Sequence, residues 1–262
     1  DLPKVLVDNL RFASGDLYDE RNVQKTYTYF GRLSALKYTN IRFFETQNGD
    51  STQLNCYVML TKSKHKSISF ELEGTNSAGD LGAAASVSFQ HRNLFRGSET
   101  FMVKFRGAYE AISGLQPGYK NHNYTEYGVE TSINFPNFLF PFLTSDFKRR
   151  IKATTEFGLQ YNYQLRPEFS RTIASASWSY KWIQKQKIQH RIDLLDISYL
   201  YLPWISSQFQ EDYINKDKDN YILKYNYENR LIVRMGYNYS YNSAGGTLVN
   251  NTITTNSYSI RA

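Results

Sequence analysis

Phe101-Met102-Val103-Lys104-Phe105-Arg106 carries an aromatic or aliphatic side chain at every odd position and places two cations at even ones. Val87-Ser88-Phe89-Gln90, just upstream, and Tyr237-Asn238-Tyr239-Ser240-Tyr241-Asn242, far downstream, obey the same rule. Successive side chains of a β-strand point to opposite faces, so strict alternation sorts one apolar set from one polar set. Between Ser67 and Asn242 the pattern recurs about seven times in stretches of about ten to twelve residues, the length a tilted strand needs to cross a bilayer. The stretches read as strands of a membrane β-barrel.

Working outward, strands are expected at Ser67–Glu73, Leu81–Arg92, Glu99–Ala111, Tyr124–Phe135, Arg150–Gln164, Ser170–Trp182, Ile188–Tyr201, Arg230–Asn242 and Thr252–Ala262. The apolar, outward set begins with Ile68, Phe70 and Leu72 and continues through Ala85/Val87/Phe89, Phe101/Val103/Phe105, Tyr127/Val129/Ile133, Phe157/Leu159/Tyr161, Ala176/Trp178/Tyr180 and Val233/Met235/Tyr237. The inward set mixes both charge signs: Glu71, Lys104, Arg106, Glu126, Glu130, Glu156 and Arg234. Such a lining suits a salt-bridged or wetted lumen better than a selective ion pore. The alternation slips at Leu194-Leu195, where a β-bulge is expected. A short helix near Ser207–Ile214 is expected within the longest break, Leu202–Asn229.

Bulk composition agrees. The chain has 262 residues, enough for one large domain or two modest ones, and 41% hydrophobic content. Mean hydropathy is negative, and no apolar run approaches the roughly 20 residues of a spanning helix. Tyrosine is abundant at 22 residues, as expected where aromatics mark both membrane interfaces. The net charge of +7 is spread over lumenal positions and turns, which gives no footprint for nucleic acid. The single Cys56 shares a strand face with Leu54, Val58 and Leu60 and is expected to be a buried thiol. Asp1-Leu2-Pro3-Lys4 shows no leader pattern, which reads as a processed or partial chain.

Residues 1–62 follow another plan. Leu2, Val5, Leu6 and Leu10 have helical spacing, Gly15-Asp16 marks a turn, and Asp19 can cap a second helix from Glu20 to about Leu36. Two strands follow, Tyr38–Thr46 and Leu54–Thr61, joined by Asn48-Gly49-Asp50-Ser51. A two-stranded sheet is marginal alone, so a further strand before Asp1 is expected. Lys62-Ser63-Lys64-His65-Lys66 is a polar linker into residues 63–262.

Ser67-Ile68-Ser69-Phe70-Glu71-Leu72-Glu73-Gly74-Thr75, then Gly79-Asp80-Leu81-Gly82, then Ser86 through Arg92 and the turn Asn93-Leu94-Phe95-Arg96-Gly97 together resemble the opening of the BamA/TamA-type outer-membrane assembly barrels. The wording is most similar to the TamL-like branch. The resemblance implies that residues 1–62 are a partial polypeptide-transport-associated (POTRA) domain in the periplasm. It also places the Asn93, Leu94, Phe95 and Gly97 turn at the periplasmic end. The fold class is then mainly β: an antiparallel transmembrane barrel of about 16 strands, of which this chain holds the N-terminal half, preceded by the partial α+β domain.

The chemistry matches a non-enzyme. His65, His91, His122 and His190 lack metal-ligand spacing, and no nucleophile elbow, phosphate loop or dinucleotide fingerprint occurs. No cofactor is expected. Glu71, Glu73, Glu126 and Glu130 read as lumenal groups bonded to Lys104 and Arg106 rather than as general acids or bases. The resemblance implies a lateral gate formed by the first barrel strand: Ser67, Ile68, Ser69, Phe70, Glu71, Leu72 and Glu73. Its backbone would template an incoming strand by β-augmentation. In the N-terminal domain Tyr38, Ile41 and Phe43 are candidates for binding extended clients. The expected partners are unfolded outer-membrane proteins, outer-membrane lipid, and periplasmic or lipoprotein subunits. Two alternatives stand beside this reading: a polypeptide pore of the two-partner secretion type, and a porin-like solute channel.

Overall fold

The computed structural model describes residues 2–48, 51–77, 80–112, 123–144, 147–148, 151, 153–184, 187–214, 225–242 and 257–261. The chain divides into two units. One comprises Asp1–Ser67 with Gln90–Phe101 and Asn134–Pro136; the other comprises Ile68–Phe89, Met102–Ile133 and Asn137–Ala262.

The first unit holds helices α1 (Leu2–Asn9) and α2 (Glu20–Phe30) and the hairpin of β1 (Leu36–Asn48) with β2 (Ser51–Lys62). Asp19 caps α2 from an extended backbone, its carboxylate accepting from Arg21 N–H at 2.9 Å. The helix stops at Gly31, short of the expected Leu36, because the chain leaves it through tight turns: Leu33 N–H bonds Phe30 O and Leu36 N–H bonds Leu33 O. Val23, Phe30, Leu33, Ala35 and Ile41 form the core with the hydroxyl-bearing Thr26. Thr26 Oγ1 accepts from Arg11 N–H at 3.1 Å and donates to Asn22 O at 2.9 Å, so its burial leaves no orphan. Gly15, at φ +94, occupies the turn between the helices, where a side chain would be strained.

Cys56 corrects an expectation. It is exposed, because the whole of β2 from Thr52 to Met59 is exposed in the described structure. Sharing a face with Leu54, Val58 and Leu60 did not bury it.

The remaining strands are β3 (Lys66–Ser77), β4 (Asp80–Arg92), β5 (Thr100–Ala111), β6 (Asn123–Phe135), β7 (Thr154–Leu165), β8 (Phe169–Gln184), β9 (Ile188–Ile205), β10 (Arg230–Asn242) and β11 (Ser257–Arg261). They form one sheet in simple sequence order, with β3 and β11 at its two ends. The expected Arg230–Asn242 strand is reproduced in full. β7 starts at Thr154 rather than Arg150, and β9 runs on to Ile205 rather than stopping at Tyr201. The expected turns at residues 49–50 and 78–79, and most of the 112–123 connection, lie outside the described residues.

The bulge at Leu194-Leu195 is present from both sides. Trp178 pairs with Leu195 but Ser179 pairs with Asp193, and on the other flank Arg234 pairs with Asp196 while Gly236 pairs with Asp193. After β9, helix α3 (Ser207–Phe209) passes into a π-helical turn, Gln210–Ile214, where a short helix was expected.

Alternation sorts the sheet's faces as read. Ile68, Phe70, Leu72, Val87, Phe105, Tyr127, Val129, Leu159, Tyr161, Val233, Met235 and Tyr237 are exposed on one set of positions. Small polar residues such as Ser86, Ser179 and Ser198 are buried on the other. An apolar surface of this extent is a liability in water and the normal face of a strand in lipid. No helix among the described residues is long and apolar enough to cross a membrane.

Candidate functional site: the edge strand and its turn

β3 is the end strand of the sheet. Arg92 N–H donates to His65 O, which makes 65 and 92 a hydrogen-bonded pair. Side-chain contacts continue that register: Ser67 to Gln90, Ser69 to Ser88 at 2.6 Å, and Ser86 to Glu71 at 3.0 Å. In an antiparallel ladder the paired residues alternate with unpaired ones. Ser67, Ser69, Glu71 and Glu73 therefore turn their backbone groups toward β4, and Ile68, Phe70 and Leu72 turn theirs to the other edge, which carries no strand among the described residues. The same three residues carry the apolar side chains, with Leu72 86% exposed. Backbone donors and acceptors thus line an edge whose adjoining face is greasy.

The opposite face of β3 is tied down by charge. Lys104 Nζ donates to Glu71 at 2.9 Å, and Arg106 reaches both carboxylate oxygens of Glu73, at 2.9 and 3.2 Å. The expected pairing of these two glutamates is present. Glu126 differs: it accepts from Tyr124 and from Asn162 Nδ2 rather than from Lys104 or Arg106. Further along the face lie the pairs Lys181–Glu156 and Arg234–Asp196. Solvent-screened bridges of this kind add little to stability on their own. All of them lie on the face opposite the exposed apolar side chains.

The 93–99 turn is built by two side chains. Asn93, at φ 68, accepts from Ser98 N–H through Oδ1 at 2.9 Å. Glu99 folds its carboxylate back to accept from Phe95 N–H at 3.1 Å and Gly97 N–H at 3.0 Å. A Cβ on Gly97 would lie 2.1 Å from Glu99 Oε1, so a side chain there would displace the carboxylate from these two N–H groups. Within the same unit, Ser34 Oγ donates to Ser98 O at 2.7 Å and Ala35 N–H donates to Ser98 Oγ at 3.0 Å. Phe95 stacks on Phe135 with centroids 6.5 Å apart, while Leu94 is exposed. Reading the sequence singled out Asn93, Leu94, Phe95 and Gly97 but missed Glu99 and Ser98. A carboxylate two residues beyond the glycine was the available signal.

The three candidates on β1 separate. Tyr38 is exposed, Phe43 packs against Phe12 and Tyr18, and Ile41 is in the core. The hydroxyl of Tyr27 accepts from Ile41 N–H at 2.8 Å and donates to Ile41 O at 3.3 Å. That side of β1 is therefore occupied at Ile41, and a client strand would have to displace Tyr27. On β2, Val58 lies opposite Ile41 in a non-bonded pair and so turns its backbone to the other edge, which carries no strand among the described residues.

Among the described residues no group of three or more His, Cys, Asp and Glu side chains could hold a metal. His65, His91 and His190 lie in separate places, and His122 lies outside the described residues.

No protein-family model matches the sequence. No curated protein matches it either. A solved structure does: the crystal structure of BamA from Haemophilus ducreyi lacking POTRA domains 1–3 is similar at a TM-score of 0.53 and 14% identity. The match covers 98% of this chain and 44% of that one. At that identity the likeness speaks for the fold, which is that of a BamA-like β-barrel in part. The chain spans less than half the length of the structure it matches.

Proposed function

We propose that this chain is part of an outer-membrane protein assembly factor that inserts clients by strand templating at a lateral gate. The gate strand is β3, and Ser67 through Glu73 are its working residues. The observation that carries the reading is the edge itself. Ile68, Phe70 and Leu72 turn backbone N–H and C=O groups outward on the strand whose apolar face meets lipid. An orphaned backbone group in hydrocarbon costs several kcal/mol, so such an edge is stable only when paired or when the bilayer around it is thinned. An incoming β-strand supplies that pairing without demanding a sequence, since β-augmentation relies on main-chain bonds. A broad client range follows.

The likeness to a BamA barrel supports the fold this requires. Placement in the bacterial outer membrane, with residues 1–62 in the periplasm as a partial POTRA domain, completes the proposal. So does the view that the protein works without enzymatic chemistry or a cofactor. Ion pairs of both signs across β3–β5 and β7–β10 favour a filled or gated interior over a steady solute channel.

The test is site-specific photocrosslinking from Ser69 and Phe70 of the full-length protein in cells synthesising outer-membrane proteins. Adducts with nascent barrel proteins are expected at these positions and not at Val129 or Phe157. Adducts only with the protein's own chain would mean a sealed seam and would sink the reading.

A further inference from the structure

The connection from β6 to β7 does not simply turn. After Asn137 it folds back over the apolar face of the sheet. Thr155 Oγ1 donates to Asn137 O at 2.8 Å and accepts from Leu139 N–H at 2.9 Å, and Thr155 is fully buried. Its register partner Tyr180 donates its hydroxyl to Leu139 O at 2.9 Å and is 3% exposed. Thr155 and Tyr180 belong to the same face as Phe157 and Trp178. Tyr180 was expected to face lipid; instead the chain's own Phe138 and Phe140 cover it, with centroids 4.7 and 6.2 Å away.

A continuous aromatic path results. Phe157 meets Trp178, Trp178 meets Tyr180, Tyr180 meets Phe138 and Phe140, and Phe140 meets Phe142. It starts on the strand face and ends on Phe142, which is 87% exposed among the described residues, with Leu139 and Phe147 nearby about two-fifths exposed. The stretch Phe138-Leu139-Phe140-Pro141-Phe142-Leu143 has no charge. After Thr144-Ser145-Asp146-Phe147, which adds one anion, the sequence places four cations within five residues, in Lys148-Arg149-Arg150-Ile151-Lys152.

We propose that this segment, through Leu139, Phe142, Phe147 and Lys148, is a membrane-interface anchor seated in an anionic phospholipid leaflet. Two features select lipid as the occupant. The exposed rings are continuous with the face that meets lipid, and the cations that follow complement anionic headgroups. An apolar cluster edged by Lys and Arg sits about 5–10 Å into the headgroup and acyl boundary of such a leaflet, with each basic residue drawn to the anionic surface. By strand alternation the segment leaves the same end of the sheet as the 93–99 turn, the end that the resemblance assigns to the periplasm. The anchor thus holds the barrel wall beside β7 and β8 to the periplasmic leaflet. The proposal rests on the membrane-barrel reading and adds a defined contact to it.

The test places single spin labels on the full-length protein in a Cys56→Ser background. Phe142→Cys reports the anchor, Leu159→Cys the strand face, and Thr52→Cys the N-terminal unit. The purified protein is reconstituted into phosphatidylethanolamine vesicles with and without phosphatidylglycerol. Depth is read from oxygen accessibility against a water-soluble nickel complex. The expected result is a deeply immersed Leu159 label and a Phe142 label at the headgroup boundary, moving deeper when phosphatidylglycerol is present. Its ratio of oxygen to nickel accessibility should exceed that at Thr52 several-fold. An immersed Leu159 label with a nickel-accessible Phe142 label overturns the anchor and leaves that surface to a protein partner. Equal depth in both vesicles overturns the assignment to anionic headgroups. A Leu159 label in water overturns the membrane-barrel reading on which the anchor rests.

Discussion

At the scale of single residues, the 93–99 turn depends on Glu99 more than on the residues that make it recognisable. Its carboxylate satisfies two backbone N–H groups, and Gly97 is the residue that lets it approach. Glu99→Ala leaves both donors without an acceptor, at a cost of about 1–3 kcal/mol. Chemical denaturation of the protein should show that loss, with Glu99→Gln recovering part of it through the remaining carbonyl oxygen. Asn93 and Gly97 were legible because turn chemistry favours those residue types. Glu99 was not, because a glutamate beginning an alternating strand reads equally well as a lumenal charge. Cys56 shows the opposite failure: its apolar neighbours on β2 suggested burial, but the strand is exposed along most of its length.

At the scale of elements, alternation located every strand of the sheet, and even the Leu194-Leu195 bulge, because a period-two signal breaks visibly when one residue is inserted. What it could not show is a chain that folds over its own outer face. Tyr180 has the pattern of a lipid-facing residue and is covered by residues 137–140, whose aromatic composition is the same whether the cover is protein or lipid. Helix α2 offers a pH test. Arg21 N–H, followed by the Arg21 side chain, holds the Asp19 carboxyl below its ordinary value of 3.8. A carboxylate whose folded value is lowered stabilises above its unfolded value and loses that contribution as pH falls through the folded one. Amide exchange in the first turn of α2 should therefore be protected at neutral pH and gain relative speed as pH drops below 3.8. The change should be absent in Asp19→Asn, which caps without titrating.

At the scale of the whole molecule, the sequence order of the nine strands in the described sheet and their two chemically distinct faces were legible. Each is carried by a repeating pattern rather than by one residue. The function is not carried that way. The proposed gate rests on one property of β3, that the backbone of Ile68, Phe70 and Leu72 points away from β4, and this depends on register, which alternation alone leaves open. The same register separates two otherwise similar substitutions. Proline at position 70 removes an edge-facing N–H and leaves the β3–β4 ladder whole, a position where edge strands tolerate proline. Proline at 69 cuts the ladder itself. The decisive measurement is client insertion into proteoliposomes by the full-length protein carrying Phe70→Pro beside Phe70→Ala. One lost main-chain bond to the client is worth about 1 kcal/mol, or about fivefold in rate. The account predicts at least that loss for Phe70→Pro and near-normal insertion for Phe70→Ala; equal activity of the two variants would contradict it.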